Sequence, residues 1–365
     1  MDKSSQRELL PVGEACSIPE VMEDLAQALS GNGAALGFGK LESTHVPEGI
    51  AVVIGTSGST GKPKQVGLSS SALLASARAS HTFLAAEFGH IWSLLLPMTH
   101  IAAVNVLVRS LELGTIPLDL RSAKEFPQAD FTAIVPTQLF RALNGDTQLL
   151  KHLCNARAVL VGGAALPEAI RTKSHALGIN VVSTYGMTET SGGCVYDGKS
   201  LPGVDVAISE NGRIKIKGST LATTYLGNEE AWASSLSDEW FVTNDIGSFI
   251  DGKLFVEGRA DDIIISGGEK ISLDVVESIL HSNFPDSEFA AFSIADAEWG
   301  SSLQIAIASA QSVSTQEITR VLANTLGDVA KPKGFLMLSS LPTIGIGKID
   351  RKALTQRKLQ EGSHS

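Results

Sequence analysis

Residues 54–66 read Ile-Gly-Thr-Ser-Gly-Ser-Thr-Gly-Lys-Pro-Lys-Gln-Val. The apolar run 50–54 leads into this stretch and predicts a short buried strand. The glycines allow the backbone to turn its N–H groups toward one point, and such a concave set of N–H groups is an anion site. Hydroxyls and lysines add donors and positive charge, so the predicted ligand is a polyphosphate. The candidate phosphate-binding residues are Thr56, Ser57, Gly58, Ser59, Thr60, Gly61, Lys62 and Lys64.

Two common phosphate loops do not fit this spacing. The mononucleotide-binding loop needs a glycine, four residues and then Gly-Lys-Ser/Thr. Here Thr56 stands at the first glycine, and Pro63 replaces the magnesium-binding hydroxyl. The dinucleotide fingerprint G-x-G-x-x-G fails at Thr56 as well. A flexible Ser/Gly linker is the alternative without a ligand, but linkers seldom follow a buried strand directly.

The composition is that of a globular protein with a large core. The chain has 365 residues, 43% hydrophobic and 19% charged, which predicts two or three domains. A formal net charge of -10 gives no general attraction to nucleic acid or anionic membranes. No apolar run predicts a membrane span or a signal peptide. Cys16, Cys154 and Cys194 lack metal spacing, which favours free thiols in a reducing cytoplasm.

Short apolar strands alternate with helix-like segments along the middle of the chain. Strands are predicted at 94–96, 131–135, 158–161 and 180–183, and helices at 69–88, 101–113 and 137–143. This alternation predicts an α/β fold with a parallel sheet covered by helices. His100 then lies at a strand-to-helix junction, where such folds place ligands. A satisfied structural histidine is the alternative for His100.

Two motifs follow further predicted strands. Gly162, Gly163 and Ala164 end one strand and leave room for a flat ring, although a plain turn explains them equally well. The second motif, residues 185–190, reads Tyr-Gly-Met-Thr-Glu-Thr. A tyrosine can stack on adenine, a glycine lets the backbone approach a ligand, a threonine can donate to phosphate, and a glutamate can hold magnesium. These roles fall on Tyr185, Gly186, Thr188 and Glu189.

In this order the motifs resemble those of the adenylate-forming superfamily, which includes acyl-CoA synthetases, luciferases and peptide-synthetase adenylation domains. The resemblance covers almost all of residues 50–355. It implies an adenine and ribose site, an acyl pocket beside His100 and Gly186, and a carboxylate that accepts both ribose hydroxyls. The implied adenine and ribose residues are Gly162, Gly163, Ala164, Tyr185, Gly186, Met187, Asp245 and Arg259.

The resemblance also implies a division of the chain. A large N-terminal domain, 1–259, would contain parallel α/β sheets and a small antiparallel β subdomain at about 203–257. A small mobile α+β domain, 260–365, would follow a hinge at Asp261. Gly267 and Gly268 would approach the pantetheine of CoA, and Lys348, in the run 342–351, would be the catalytic lysine. A polar turn with a glycine bulge and a solvated surface lysine are the alternative readings.

Three departures from the superfamily pattern are visible. Gln65 replaces a usual glycine at the exit of the phosphate loop. Asn244 replaces the glycine before Asp245, and since asparagine tolerates a left-handed backbone, the turn is expected to survive. About fifty residues precede the phosphate loop, where most members have a longer segment. Compact o-succinylbenzoate–CoA ligases of menaquinone synthesis are similarly short, and the pattern His100-Ile101, Leu107 and Arg109-Ser110-Leu111 is most similar to theirs.

The implied reaction is ATP-dependent activation of o-succinylbenzoate to its acyl-adenylate, followed by transfer to CoA with release of AMP and pyrophosphate. The implied catalytic residues are Lys348, Thr188 and Glu189, with Glu189 as the Mg²⁺ ligand. The partners are then a small carboxylate, ATP and CoA, and a homodimer is allowed. Alternatives are a ligase for another aryl or acyl acid, a phosphotransferase, and a nucleotide-binding protein without catalysis.

Overall fold

The structure is a computed structural model that describes residues 6–56, 64–284, 287–296, 299–308, 313–344 and 348–362. None of its helices in these ranges combines the length and the apolarity needed to cross a membrane. Helices and strands are numbered in chain order. The helices are α1 (Ile18–Ser30), α2 (Ser70–Leu84), α3 (Ile101–Glu112), α4 (Pro136–Leu143), α5 (Thr147–Asn155), α6 (Glu168–Ala176), α7 (Glu229–Ser234), α8 (Leu273–Asn283), α9 (Thr315–Leu326) and α10 (Arg351–Gly362).

The strands are mostly short, as the sequence predicts. They are β1 (Gln6–Val12), β2 (Ala35–Phe38), β3 (His45–Pro47), β4 (Val52–Thr56), β5 (Lys64–Leu68), β6 (Trp92–Leu94), β7 (Leu118–Asp119), β8 (Phe131–Ile134), β9 (Ala158–Val161), β10 (Val181–Met187), β11 (Gly192–Tyr196), β12 (Lys199–Ser200), β13 (Val204–Ile208), β14 (Arg213–Gly218), β15 (Thr224–Leu226), β16 (Leu236–Ser237), β17 (Trp240–Ile250), β18 (Lys253–Arg259), β19 (Ile263–Ser266), β20 (Glu269–Ser272), β21 (Glu288–Asp296), β22 (Gly300–Ala308), β23 (Gly334–Leu338), β24 (Thr343–Ile344) and β25 (Lys348–Ile349).

Local sequence signals account for several element boundaries. α1 has a proline in its first turn and ends at Gly31, whose φ of 81° places it in the left-handed region that glycine adopts without strain. α2 begins after Ser69, whose Oγ accepts a hydrogen bond from the Ala72 N–H at 3.2 Å. This contact satisfies one of the donors that a helix start leaves unpaired.

The first sheet is mixed and has the strand order β15-β5-β4-β2-β1-β3. β4 and β5 are adjacent antiparallel strands, with Thr56 paired to Lys64. The predicted phosphate loop therefore joins the two strands of a hairpin. Its residues 57–63 lie outside the described part of the chain.

The second sheet has the order β12-β11-β10-β9-β8-β6-β7. The five strands β7, β6, β8, β9 and β10 run parallel. β11 pairs antiparallel with β10, and β12 pairs antiparallel with β11. Helices α1, α2 and α3 pack between the two large sheets, and α4, α5 and α6 cover the other face of the second sheet. This is the predicted arrangement of a parallel sheet covered by helices.

Two smaller sheets follow. The third is antiparallel, with the order β13-β14-β17-β16 and with β18 beside β17. The fourth has the order β20-β19-β22-β21, with β23 parallel to β22. α8 and α9 cover one face of the fourth sheet, and α10 covers the other through Leu354. The exact bounds of the domains stay a prediction.

The departure at Gln65 has a structural role. Its side chain is 9% exposed, and Oε1 accepts hydrogen bonds from the backbone N–H groups of Glu42 at 2.9 Å and Ser43 at 3.1 Å. A Cβ on Gly55, the strand partner of Gln65, would overlap the Lys40 carbonyl oxygen. The segment after β2 thus crosses closely over the stem of the predicted phosphate loop, and Gln65 fixes it there.

The expectation for Asn244 was wrong. Asn244 lies inside β17 and is not among the residues with positive φ. Its Oδ1 accepts a hydrogen bond from Arg213 Nη1 at 2.6 Å. The left-handed positions of this hairpin are Asp238 and Glu239, with φ of 49° and 65°, between β16 and β17. An extended strand carries the chain into Asp245, so no left-handed turn is needed there.

Candidate active site

Lys64 and Glu189 meet through the hydroxyl of Tyr225. Lys64 Nζ donates to this hydroxyl at 3.4 Å and lies 4.6 Å from the centroid of the ring. The hydroxyl donates to Glu189 Oε1 at 2.7 Å. Burial, followed by the nearby Glu189 carboxylate, raises the pKa of Tyr225 far above its usual range, so the phenol stays protonated. The arrangement places a cation and a carboxylate at the stem of the predicted phosphate loop.

Two backbone features hold this arrangement. β15 pairs antiparallel with β5, which sets Tyr225 opposite Val66 and close to Lys64. The Glu189 carbonyl accepts a hydrogen bond from the Ala222 N–H at 2.8 Å. Glu189 itself lies in a single 3-10 turn, Thr188–Thr190, directly after β10. Three segments that are distant in sequence thus converge on one carboxylate.

The donor set at Glu189 fits Mg·ATP. The described residues contain no group of three or more His, Cys, Asp and Glu side chains that could hold a metal by themselves. Mg²⁺ in nucleotide sites takes one or two carboxylates, with substrate phosphates and water as its other ligands. Glu189, oriented by Tyr225, suits that role. Thr188 precedes it in the same turn and can donate to a phosphate.

We expect Tyr225→Phe to weaken the use of Mg²⁺ by about tenfold, because partners that orient a metal-binding carboxylate typically contribute 10–100-fold to metal affinity. The measurement is the Mg²⁺ concentration for half-maximal pyrophosphate release. Tyr196→Phe, whose hydroxyl contacts Ser80 and Arg109 and not Glu189, should leave this Mg²⁺ concentration unchanged even where it alters the use of the acid. An unchanged Mg²⁺ dependence in Tyr225→Phe would contradict the role of this hydroxyl.

Asp245 is the centre of a second polar group. The Tyr185 hydroxyl donates to Asp245 Oδ2 at 2.8 Å, and Arg259 Nη1 lies 3.6 Å from Asp245 Oδ1. Thr243 Oγ1 accepts a hydrogen bond from the Asp245 N–H at 3.0 Å. Arg259 Nη2 also lies 3.2 Å from Asp261 Oδ2. The predicted ribose carboxylate is therefore linked through one arginine to the predicted hinge residue.

The phenol of Tyr185 is held as a donor. Burial, then the Asp245 charge, raises its pKa far above the usual range. β10 delivers Tyr185 to one polar group, and the turn after β10 delivers Glu189 to the other. β10 and the turn after it thus place residues at both the predicted ribose end and the predicted phosphate end of a nucleotide. Met187 lies between Tyr185 and Glu189 in the sequence.

The glycines at 162 and 186 are required by neighbouring chain segments. A Cβ on Gly186 would overlap the Gly192 carbonyl oxygen on β11, and a Cβ on Gly162 would overlap Thr184 Oγ1. The sequence predicts these glycines for the close approach of a ligand, with a plain turn as the alternative for Gly162. The structure gives a reason that lies within the protein, while Gly163 and Ala164 are exposed beside them.

His100 is the N-cap residue of α3, at the predicted strand-to-helix junction. The loop before it is held by Glu14, whose two carboxylate oxygens accept from the Met98 and Thr99 N–H groups, each at 3.2 Å. Arg121 Nη1 lies 3.5 Å from the same carboxylate. Burial lowers the pKa of His100, with Glu14 opposing the shift, so the imidazole is neutral at pH 7.

α2 and α3 fix the turn that follows Glu189. Ser76 Oγ and Asn105 Nδ2 both donate to the Ser191 carbonyl, at 2.9 and 2.8 Å. Ser191 has a φ of 51°, and the Thr220 carbonyl accepts from its hydroxyl at 2.8 Å. The helix that starts after His100 therefore also braces the turn that contains Glu189.

The residues predicted for the CoA channel and the predicted catalytic lysine lie around the fourth sheet. Gly267 and Gly268 form the β19–β20 turn with φ of 59° and 85°. A Cβ on Gly267 would clash with Trp299, whereas Gly268 faces open space. The backbone of Lys348 pairs with Ile344 in the β24–β25 hairpin. The side chain of Lys348 and residues 345–347 lie outside the described part of the chain.

Sequence reasoning did not find Tyr225 or Glu14. Tyr225 is one of only three tyrosines in the chain, and that rarity was the one available signal. Glu14 lies in the loop after β1, and no motif or periodic pattern in the sequence surrounds it. Both residues act through contacts with residues far away in the sequence.

Comparison with known proteins defines the class. The AMP-binding enzyme family matches residues 6–226, which is more than half of the chain. The chain belongs to the AMP-binding enzyme family. The resemblance predicted from the motifs is thereby confirmed.

Individual relatives and a solved structure match most of the chain. A probable 2-succinylbenzoate–CoA ligase of Mycobacterium tuberculosis is 38% identical over 332 residues, which cover 86% of each chain. A 2-succinylbenzoate–CoA ligase of Listeria monocytogenes is 29% identical, over 89% of this chain and 76% of its own. The Bacillus subtilis o-succinylbenzoate CoA synthetase, solved with the acyl-adenylate intermediate, superposes with a TM-score of 0.77 at 25% identity, covering 95% and 82% of the two chains. The predicted adenylate-forming α/β fold is confirmed.

Proposed function

We propose that this protein is an AMP-forming acid–CoA ligase that converts o-succinylbenzoate, ATP and CoA to o-succinylbenzoyl-CoA, AMP and pyrophosphate. The observation that carries the proposal is the Lys64–Tyr225–Glu189 arrangement at the stem of the phosphate loop. A cation and a magnesium-binding carboxylate, fixed on either side of one phenol, suit the triphosphate of Mg·ATP. The named activity of the relatives supports the choice of substrate.

Nucleotide binding follows from the second polar group. Asp245 accepts the ribose hydroxyls, and Arg259 beside it contacts the nucleotide. Tyr185 supports Asp245 through its hydroxyl, and its ring lies next to the adenine. Gly162, Gly163 and Ala164 line the other side of the adenine pocket. The phosphates extend from there toward Glu189 and Lys64.

In the first half-reaction the substrate carboxylate attacks the α-phosphate, and the bond to pyrophosphate breaks. Negative charge builds on the α-phosphate and its oxygens. Thr188 and Lys348 donate to this charge, and Glu189 would hold the Mg²⁺ that would supply positive charge to the leaving pyrophosphate. Donors placed in advance where charge develops give the largest catalytic effects in such reactions.

In the second half-reaction the CoA thiol attacks the acyl carbon, and AMP leaves. The C-terminal domain, about 260–365, turns at Asp261 between the two steps. This rotation removes Lys348 and brings the Gly267–Gly268 turn to the pantetheine channel. Conformational exchange of this kind lets one site perform two different reactions. The adenylate supplies the leaving group, so no Ser-His-Asp set is needed.

Arg109 supports a substrate with two carboxylates. Ile101, Asn105 and Arg109 recur every four residues and share the face of α3 that packs against β11. Arg109 is 3% exposed, lies over the Trp92 ring and donates to the Tyr196 hydroxyl at 3.0 Å. Among the described residues its Nε has no hydrogen-bond partner, and no carboxylate lies within ion-pair distance. A buried cation without a counter-charge suits the carboxylate that o-succinylbenzoate retains after activation.

A panel of carboxylates tests the substrate assignment. We expect thioester formation with o-succinylbenzoate to exceed that with benzoate or a fatty acid by at least about a hundredfold, because a buried polar group left unpaired rejects the analogue that lacks its partner. The measurement is CoA-thioester formation with matched pyrophosphate release. Much faster turnover of benzoates or fatty acids would contradict this substrate and favour a ligase for another acid. Release of ADP or orthophosphate would contradict the whole class.

His100→Ala should weaken the use of the acid and leave ATP nearly unaffected. A neutral imidazole at the start of α3 can hydrogen-bond the acyl substrate, and such a bond to a charged group contributes about 1.5–3 kcal/mol. The measurement is the KM for each substrate in turn. Equal losses for ATP and for the acid, or a loss of the fold in circular dichroism, would reject this role.

The proposed reaction also predicts the compartment and the domain division of the enzyme. Its substrates are small molecules, and Cys16, Cys154 and Cys194 are free thiols, which suits the cytoplasm. The division at about residue 260 and the β subdomain at about 203–257 belong to this proposal. A homodimer is compatible with it.

A further inference from the structure

Arg351, the first residue of α10, is the centre of a buried ionic cluster away from the site described above. Its side chain is 17% exposed, and Nη2 lies 2.7 Å from Asp274 Oδ1 and 3.1 Å from Glu277 Oε1. Nη1 lies 3.7 Å from Asp262 Oδ2, and Nε donates to the Ala291 carbonyl at 3.1 Å. One guanidinium therefore contacts α8, β21 and the turn before β19.

The segments joined by Arg351 are the parts of the chain that the proposed rotation must couple. The turn Ala260–Asp262 contains the hinge residue Asp261. β25 contains Lys348, and one residue, Asp350, separates β25 from α10. The Asp350 N–H donates to the Pro342 carbonyl at 2.9 Å and closes the β24–β25 hairpin at this point. The hairpin therefore leads directly into Arg351, whose side chain contacts the hinge turn at Asp262.

Three carboxyl groups share the Arg351 guanidinium. Those of Asp262, Asp274 and Glu277 lie 2.7–3.7 Å from its nitrogens. Burial raises the pKa of Glu277 to about 7, with Arg351 opposing the shift and Asp274 adding to it. Removing one partner of a buried ionic group leaves the others uncompensated, which is a large local perturbation.

We propose that Arg351 is a positioning residue for the adenylation half-reaction. It fixes the Lys348 hairpin to the hinge turn, so that Lys348 reaches the α-phosphate when the C-terminal domain adopts its adenylating orientation. An arginine is needed because its planar fork holds several oxygens at once, whereas a lysine offers a single point of charge. The inference rests on the proposed function, since it assigns a role within that reaction.

The experiment compares R351Q and R351K with R320Q in the full-length chain. Arg320 is the matched control, because it lies on α9 in the same part of the fold with its side chain 70% exposed. We expect R351Q to lower the rate of pyrophosphate release about 10- to 100-fold, the effect of losing hydrogen bonds to charged groups. Thioester formation from synthetic acyl-adenylate and CoA should change little. R351K should recover part of the adenylation rate, and R320Q should match the wild type.

Hydrogen exchange gives a readout that needs no substrate. R351Q and D262N should speed amide exchange in peptides that cover 340–350, while exchange in α9 stays the same. D262N removes the contact between Arg351 and the hinge turn and leaves Asp274 and Glu277 in place. It therefore tests the coupling of the hairpin to the hinge turn in the case that R351Q fails to fold. Equal losses in both half-reactions, or unchanged exchange at 340–350, would overturn the role of Arg351. Wild-type protein that does not use o-succinylbenzoate would overturn the proposed function instead, and the exchange data would still decide the coupling.

Discussion

Lys348→Ala should abolish most of the adenylation rate and spare the transfer to CoA. In the proposed mechanism the lysine donates to a transition state that exists only while the acyl-adenylate forms. Losing one such donor typically costs about a hundred- to a thousandfold in rate, or roughly 3–4 kcal/mol. In the proposed second half-reaction the C-terminal domain has rotated, so Lys348 should be remote from the bond that breaks. Pyrophosphate release measures the first step, and thioester formation from synthetic adenylate measures the second.

Gly268→Leu should give the opposite pattern. Gly268 lies in the β19–β20 turn at a φ of 85°, where an added Cβ meets no neighbour within 4 Å but an L-residue has a strained backbone. The larger side chain should obstruct the pantetheine channel and leave adenylate formation intact. Circular dichroism of both variants controls for the fold. An equal loss of rate in both half-reactions of Lys348→Ala would contradict the domain-rotation mechanism for this chain.

Glu189→Gln should also reduce adenylation about a hundred- to a thousandfold, because a metal ion that stabilises phosphate charge contributes several kcal/mol to the transition state. An amide keeps the shape of the side chain and can still accept from the Tyr225 hydroxyl, but it lacks the charge that attracts Mg²⁺. The measurement is the rate of pyrophosphate release over a range of Mg²⁺ concentrations. High Mg²⁺ should restore part of the activity.

Glu23→Gln is the matched control for this prediction. Glu23 is exposed on α1, so the same loss of charge far from the site should leave the rate unchanged. A Glu189→Gln enzyme with normal rate and normal Mg²⁺ dependence would remove Glu189 from the metal site. The larger effect expected for Glu189→Gln than for Tyr225→Phe follows from direct as opposed to indirect contact with the ion.

The sequence by itself determined the class of fold and the main candidate residues. The strand before the phosphate loop, the junction at His100 and the motif 185–190 all depend on patterns of a few neighbouring residues. Apolar runs select strands, and glycine selects tight backbone, because these preferences act within a few residues. The predicted α/β layers followed from the order of such segments.

Only the tertiary structure decided how distant residues complete the site. Tyr225 reaches Lys64 although 161 positions separate them, because the pairing of β15 with β5 sets their register. Gln65 departs from the superfamily pattern, and the sequence alone gives no reason for the change. In the structure its side chain accepts the hydrogen bonds that hold residues 42–43 over the stem of the predicted phosphate loop. Arg351, at the start of α10, contacts both α8 and the turn that contains Asp261. Such contacts depend on which faces of remote elements are buried together, and a single sequence carries no local spacing that records them.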